Sequence, residues 1–158
     1  MYWREGEMID EYNDSNPNCV YKALQELKEQ QDQLEGSPTS CFSSLFKKLF
    51  KVDTIPFLLF NEDGLFELAG LQYGEKDHDH HHFHTKFFRI EHLDEEKNCA
   101  SLSLLRPISI YSSYVDDICA VDRLERTNIC VTVDLSCFCA IQCLDVDLLK
   151  KIVIEPKW

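Results

Sequence analysis

The stretch Ile129 to Cys143, "ICVTVDLSCFCAIQC", constrains this chain more than any other. Ile129, Val131, Val133 and Leu135 recur at every second position, the repeat of a strand buried on one face. Cys130 then falls on the other face, with Thr132, Asp134 and Ser136. If the strand runs on, the same parity places Cys137 and Cys139 in the core as small buried hydrophobes. Fifteen residues is long for a strand, however, and a break near Asp134 to Ser136 would cancel the parity beyond it. The assignment is firm as far as Leu135.

The chain from 52 to 144 carries more of this pattern. "TIPFLLF" and "GLFELAG" flank Asp63-Gly64, a hairpin signal, and the first run is apolar on both faces, as in a central strand. "FHTKFFRIEHL" and "NCASLSLLRPI" predict a second hairpin around "DEEKN", and "AVDRLER" and "ICVTVDL" a third around Thr127 and Asn128. Upstream, Asn16, Pro17 and Asn18 form a helix entry, after which Val20, Leu24, Leu27 and Leu34 share a face opposite the solvated "KEQQDQ". Phe42, Leu45, Phe46, Leu49 and Phe50 have the spacing of a second, short helix that docks on the core. The expected fold is therefore mostly β, an antiparallel sandwich or partly open barrel with two N-terminal helices, and so α+β. Its expected divisions are a mobile acidic arm (1–16), a helical segment (17–51), a β domain (52–144) and a C-terminal tail (145–158).

Charge narrows the partners. The formal net charge of -12, from 28 acidic and 16 basic residues, repels phosphates and argues against nucleic acid or an anionic membrane surface. "MYWREGEMIDEYNDSNPNC" lacks the apolar run of a secretory signal, and apolar stretches such as "IPFLLF" are too short to span a bilayer. The expectation is synthesis in a cytosol without a signal peptide. Eight cysteines are then a puzzle, because cytosolic thiols stay reduced and clusters of them usually hold metal or do redox chemistry.

Neither chemistry finds a strong motif. In "HDHHHFH" five of the six histidines, His78, His80, His81, His82 and His84, stand beside Asp77 and Asp79. Imidazoles bind zinc, copper or nickel, and His78, His80, His82 and His84 are candidate ligands, but the run reads as a solvated loop that binds metal opportunistically. A zinc site from Cys137, Cys139 and Cys143 would lack paired Cys-x-x-Cys knuckles. There is no His-Glu-x-x-His, no Cys-x-x-Cys and no βαβ alternation, so the expectation is a protein that is not an enzyme and requires no cofactor. A Cys/His zinc-binding protein remains the rival reading.

"ICAVDRLERTNICVTVDLSCFCAIQCL", Ile118 to Leu144, resembles the C-terminal signature of the CotY, CotZ and ExsY family of Bacillus-type spore coat and exosporium proteins. The "FFRIEH" and "CASLSLL" hairpin leans toward CotZ, and the resemblance runs from about Pro56 to Leu144. It implies a structural, self-assembling, homo-oligomeric protein of the outer spore coat, crust or exosporium, without enzymatic activity, associating with itself and other coat proteins. It carries a disulfide cross-linking role onto Cys99, Cys119, Cys130, Cys137, Cys139 and Cys143, and onto Cys19 and Cys41 at the helix starts. It also resolves the compartment puzzle: thiols reduced at synthesis in the mother-cell cytoplasm can oxidise on a spore exposed to air. Cys130 on the polar face of its strand, Cys99 at a strand mouth beside Lys97 and Asn98, and Cys19 and Cys41 at helix starts are the intermolecular candidates, whereas Cys137 and Cys139 are protected if the strand runs on. The acidic N-terminal part, poor in cysteine, points to a partner-dependent crust component, and the histidine run and the tail look like additions.

Overall fold

The computed structural model describes residues 19–35, 53–73, 80–111, 113–144 and 153–155. The expected acidic arm, the second helix, Cys41 and His78 lie outside the described residues.

One helix is described, α1 (Cys19–Glu35), in the place of the first expected helix, whose expected entry at Asn16 to Asn18 lies outside the described residues. Val20, Tyr21, Leu24 and Leu27 are buried along one side. "KEQQDQ" is not wholly solvated, because Gln31 is buried one turn beyond Leu27. Its amide donates to Ile90 O at 2.9 Å and accepts from Ile55 N at 3.3 Å. Apolar periodicity does not show a polar side chain that is buried because it satisfies two backbone groups.

The strands are β1 (Phe57–Asn61), β2 (Gly64–Leu65), β3 (Leu68–Tyr73), β4 (His80–Thr85), β5 (Phe88–Asp94), β6 (Cys99–Ile108), β7 (Arg123–Asp134), β8 (Ala140–Cys143) and β9 (Val153–Glu155). Seven of them form one curled sheet, a half-barrel, in the order β8-β1-β5-β6-β7-β9, with β2 as the short return of the β1 hairpin. All pairings are antiparallel except β7 with β9. β3 and β4 make a separate two-stranded sheet. The mostly β, half-closed architecture agrees with the sequence pattern.

Gly64 sits at φ 114 in the first hairpin turn, a conformation that favours glycine. β1 is central as expected, with Phe57, Leu58 and Leu59 buried. α1 closes one side of the core with Phe57, Leu59, Phe88, Ile90, Leu102, Leu104 and Leu135. Each fully buried Leu or Phe contributes about 1.5–3 kcal/mol relative to exposure.

On the sheet's other face, buried Arg89 donates to Thr54 Oγ1 at 2.9 Å and to Glu91 Oε1 at 2.7 Å, while Arg126 pairs with Asp53 at 2.7 Å. This network ties residues 53–54 over β5 and β7, so the chain enters β1 from a fixed direction.

The third expected hairpin does not form. Residues 123–134 are one strand, and Thr127 and Asn128 lie in a bulge instead of a turn. Cys130 stands opposite Ser103 and Arg126 opposite Leu105, so Thr127, Asn128 and Ile129 face Leu104 alone. Thr127 Oγ1 donates to Leu104 O at 2.6 Å and accepts from Ile129 N at 3.3 Å, so a hydroxyl replaces the interrupted ladder.

Candidate cross-linking surface

Beyond the bulge the parity holds. Asn128, Cys130, Thr132 and Asp134 are exposed, whereas Ile129, Val131 and Val133 are half-buried against the core. Cys99, half-buried at the start of β6, stands opposite Asp134 on the same ladder, and its thiol contacts Lys97 O at 3.3 Å. Cys19 is exposed at the first residue of α1. Cys119 is exposed in a 3-10 turn (Ile118–Ala120) whose start is fixed by Asp117 accepting from Cys119 N at 3.0 Å.

After Asp134 the strand ends. The Asp134 carboxylate accepts from Ser136 N at 3.0 Å and Ser136 Oγ at 2.7 Å, and the chain turns through a 3-10 segment, Leu135–Cys137. Those two hydrogen bonds also lower the Asp134 pKa. Leu135 and Phe138 drop into the core, leaving Cys137 and Cys139 exposed. The strand does not run on, so the condition under which both thiols would be walled in is not met: the two-residue repeat does not survive the turn. An Asp two residues before a Ser was the available signal, since this pair closes an Asx turn.

Cys139 N then donates to Phe60 O at 2.9 Å, and β8 pairs with β1, bringing Cys143 opposite Phe57. Cys143 lines an open groove with Leu27, Leu34, Ile55 and Leu144 of the α1 side. Partial desolvation there, and then the charge of Glu26, push its thiol pKa up. All seven described cysteines are free thiols. Across the ladders Cys99 meets Asp134, Cys130 meets Ser103 and Cys143 meets Phe57, so paired strands bring no two of them opposite each other.

The histidine run is not simply a loop, because His80 to Thr85 form β4. Phe83 is fully buried with its ring pressed on Gly70, where a Cβ would meet it at 2.5 Å. His82 and His84 stack edge to face at 4.7 Å, and His84 Nδ1 lies 3.5 Å from Glu67. Among the described residues no three His, Cys, Asp or Glu side chains converge as a metal site. No described helix is long and apolar enough to cross a membrane.

These features belong to a cysteine-rich β protein with most of its described thiols turned outward, and its relatives show its family. The spore coat protein Z family model matches residues 8–146, so the chain belongs to that family. It is 36% identical over 141 residues to spore coat protein Z of Bacillus subtilis (strain 168), covering 85% of this chain and 93% of that protein. No solved structure matches.

Proposed function

We propose that this chain is a structural protein of the outer spore coat, crust or exosporium, which assembles with itself and with other coat proteins and is then locked by intermolecular disulfides. Family membership supports the coat role. The observation that carries the cross-linking is the placement of the thiols: six of the seven described cysteines are exposed, and no two stand opposite each other across paired strands. A thiol with no cysteine opposite it on its ladder is left open to oxidation that joins it to another molecule. Joining two thiols releases two protons and two electrons, which dioxygen accepts on a spore in air. The role needs no active site: synthesis in the reducing mother-cell cytoplasm keeps the thiols available until assembly is complete.

The test is controlled oxidation of the purified, reduced full-length protein, followed by non-reducing electrophoresis and mapping of the linked peptides. The expected result is a ladder of covalent oligomers that reductant collapses while the far-ultraviolet circular dichroism stays unchanged. Purely intrachain pairing, or a protein that remains monomeric after oxidation, would overturn this reading.

A further inference from the structure

The outer edge of β7 presents a short self-complementary run of backbone, and we propose that a second copy of this chain pairs with it antiparallel, Cys130 to Asp134 against Asp134 to Cys130, about a two-fold axis at Thr132. The inference rests on the assembly reading above and names one surface for it.

The direction of the backbone groups follows from one hydrogen bond. Leu135 N donates to Asn98 O at 2.9 Å, in the same register that sets Asp134 opposite Cys99. In an antiparallel ladder bonded pairs alternate with non-bonded ones, so Val133 with Ala100 and Val131 with Leu102 are the bonded pairs. The intervening residues, Cys130, Thr132 and Asp134, point their N–H and C=O groups away from β6. β9 occupies that outer edge only at Arg123, Leu124 and Glu125, below the bulge. Among the described residues no strand pairs with the edge from Cys130 to Asp134. Such an edge is a template for another strand unless a charge, a proline or a bulge blocks it. Between the bulge and Asp134 there is no lysine and no proline.

A second copy is the occupant that the charge pattern favours. Copies of a chain carrying a net charge of -12 repel one another, yet Ile129 to Val133 carry no charge. With the axis at Thr132, the two Asp134 carboxylates lie at opposite ends of the paired run, each across from a Cys130 thiol. Val131 meets Val133 of the copy, which joins two half-buried stripes into one. An axis at Cys130 would instead bring the bulge at Thr127 to Ile129 into the ladder. Isologous pairing uses the same groups twice and needs no second kind of surface.

The test is sedimentation of the full-length protein in excess reductant, comparing wild type with Thr132→Pro and Thr132→Val. Proline at 132 removes an outward N–H and leaves the bonds to β6, so the subunit should still fold, as edge prolines do. Two-fold symmetry makes that two lost hydrogen bonds, and self-association should weaken by about tenfold to a hundredfold. Thr132→Val keeps the N–H and should associate like wild type. Alkylation provides a readout on unmodified protein: Cys130 should react more slowly as protein concentration rises, while Cys119 should not. A folded Thr132→Pro protein that associates like wild type would overturn the proposal, and so would Cys130 labelling independent of concentration or a wild type that stays monomeric in reductant at every concentration tested. If oxidised ladders still form in those cases, the cross-linking role stands and only this surface is wrong.

Discussion

The two segments that follow one another from Ile129 to Leu144 hold their thiols outside by different means. In β7 the ladder does it: past the bulge the strand is paired to β6 from Cys130 to Asp134, and Cys130 is outside because Ile129, Val131 and Val133 are turned toward the core. From Leu135 to Leu144 the chain makes a 3-10 turn and a four-residue strand, pinned at Leu135, Phe138 and Leu144. One cysteine is exposed in the first segment and three in the second. Extended pairing fixes a thiol's direction but spends half the positions on the core. A turn anchored by a few large side chains releases more thiols from the same length of chain, and its geometry depends on each anchor.

That difference predicts unequal sensitivity to single substitutions. Leu135 is fully buried among residues of the main core and sets the start of the turn, so Leu135→Ala should destabilise the subunit by about 2–5 kcal/mol. Val131→Ala, at a half-buried ladder position, should cost clearly less. Urea denaturation in reductant measures both, and equal losses would mean that the two segments are held alike.

A smaller effect is expected at the bulge. Thr127→Val keeps the shape but leaves Leu104 O and Ile129 N without the hydroxyl that serves both, at a cost of about 1–3 kcal/mol. Thr127→Ser should recover most of it. If valine is neutral and serine is not better, the hydroxyl does not hold the bulge.

Much of this architecture was legible in the residues. The inner stripe of β7, the Asp63-Gly64 hairpin and the apolar face of α1 at Val20, Leu24 and Leu27 are local patterns, and each depends on groups a few positions apart. What was not legible depends on partners far away in the chain. Thr127 and Asn128 resemble a turn until Leu104 supplies a carbonyl that makes them a bulge; Gln31 looks solvated until Ile90 and Ile55 offer backbone groups. The histidine run looked like a loop because its composition is polar, but Phe83 opposite Gly70 gives it a buried side. The parity of Cys137 and Cys139 failed for a local reason, the Asp134 to Ser136 turn, which was present in the sequence and outweighed the alternation.

The smallest expected effect lies inside the second segment and concerns reactivity, with no change in stability. Cys143 is exposed as a residue, yet its pKa is raised above that of an ordinary thiol, first by desolvation and then by Glu26. The thiolate is the reacting species, so at neutral pH a smaller fraction of Cys143 is ionised in the folded protein than in the unfolded chain, and it should be alkylated more slowly before unfolding than after it. A raised pKa moves its half-ionisation to more alkaline solution, so its rate in the folded protein should keep rising after its rate in the unfolded chain has levelled off. Glu26→Gln removes the charge contribution and should speed Cys143 labelling modestly without bringing it to the unfolded rate, because the desolvation remains. Peptide-resolved alkylation of the native and the urea-unfolded reduced protein across a pH series separates these cases. Superimposable native and unfolded profiles would show that β8 leaves its thiol fully open to water, and the groove beside α1 would then have no influence on when that thiol oxidises.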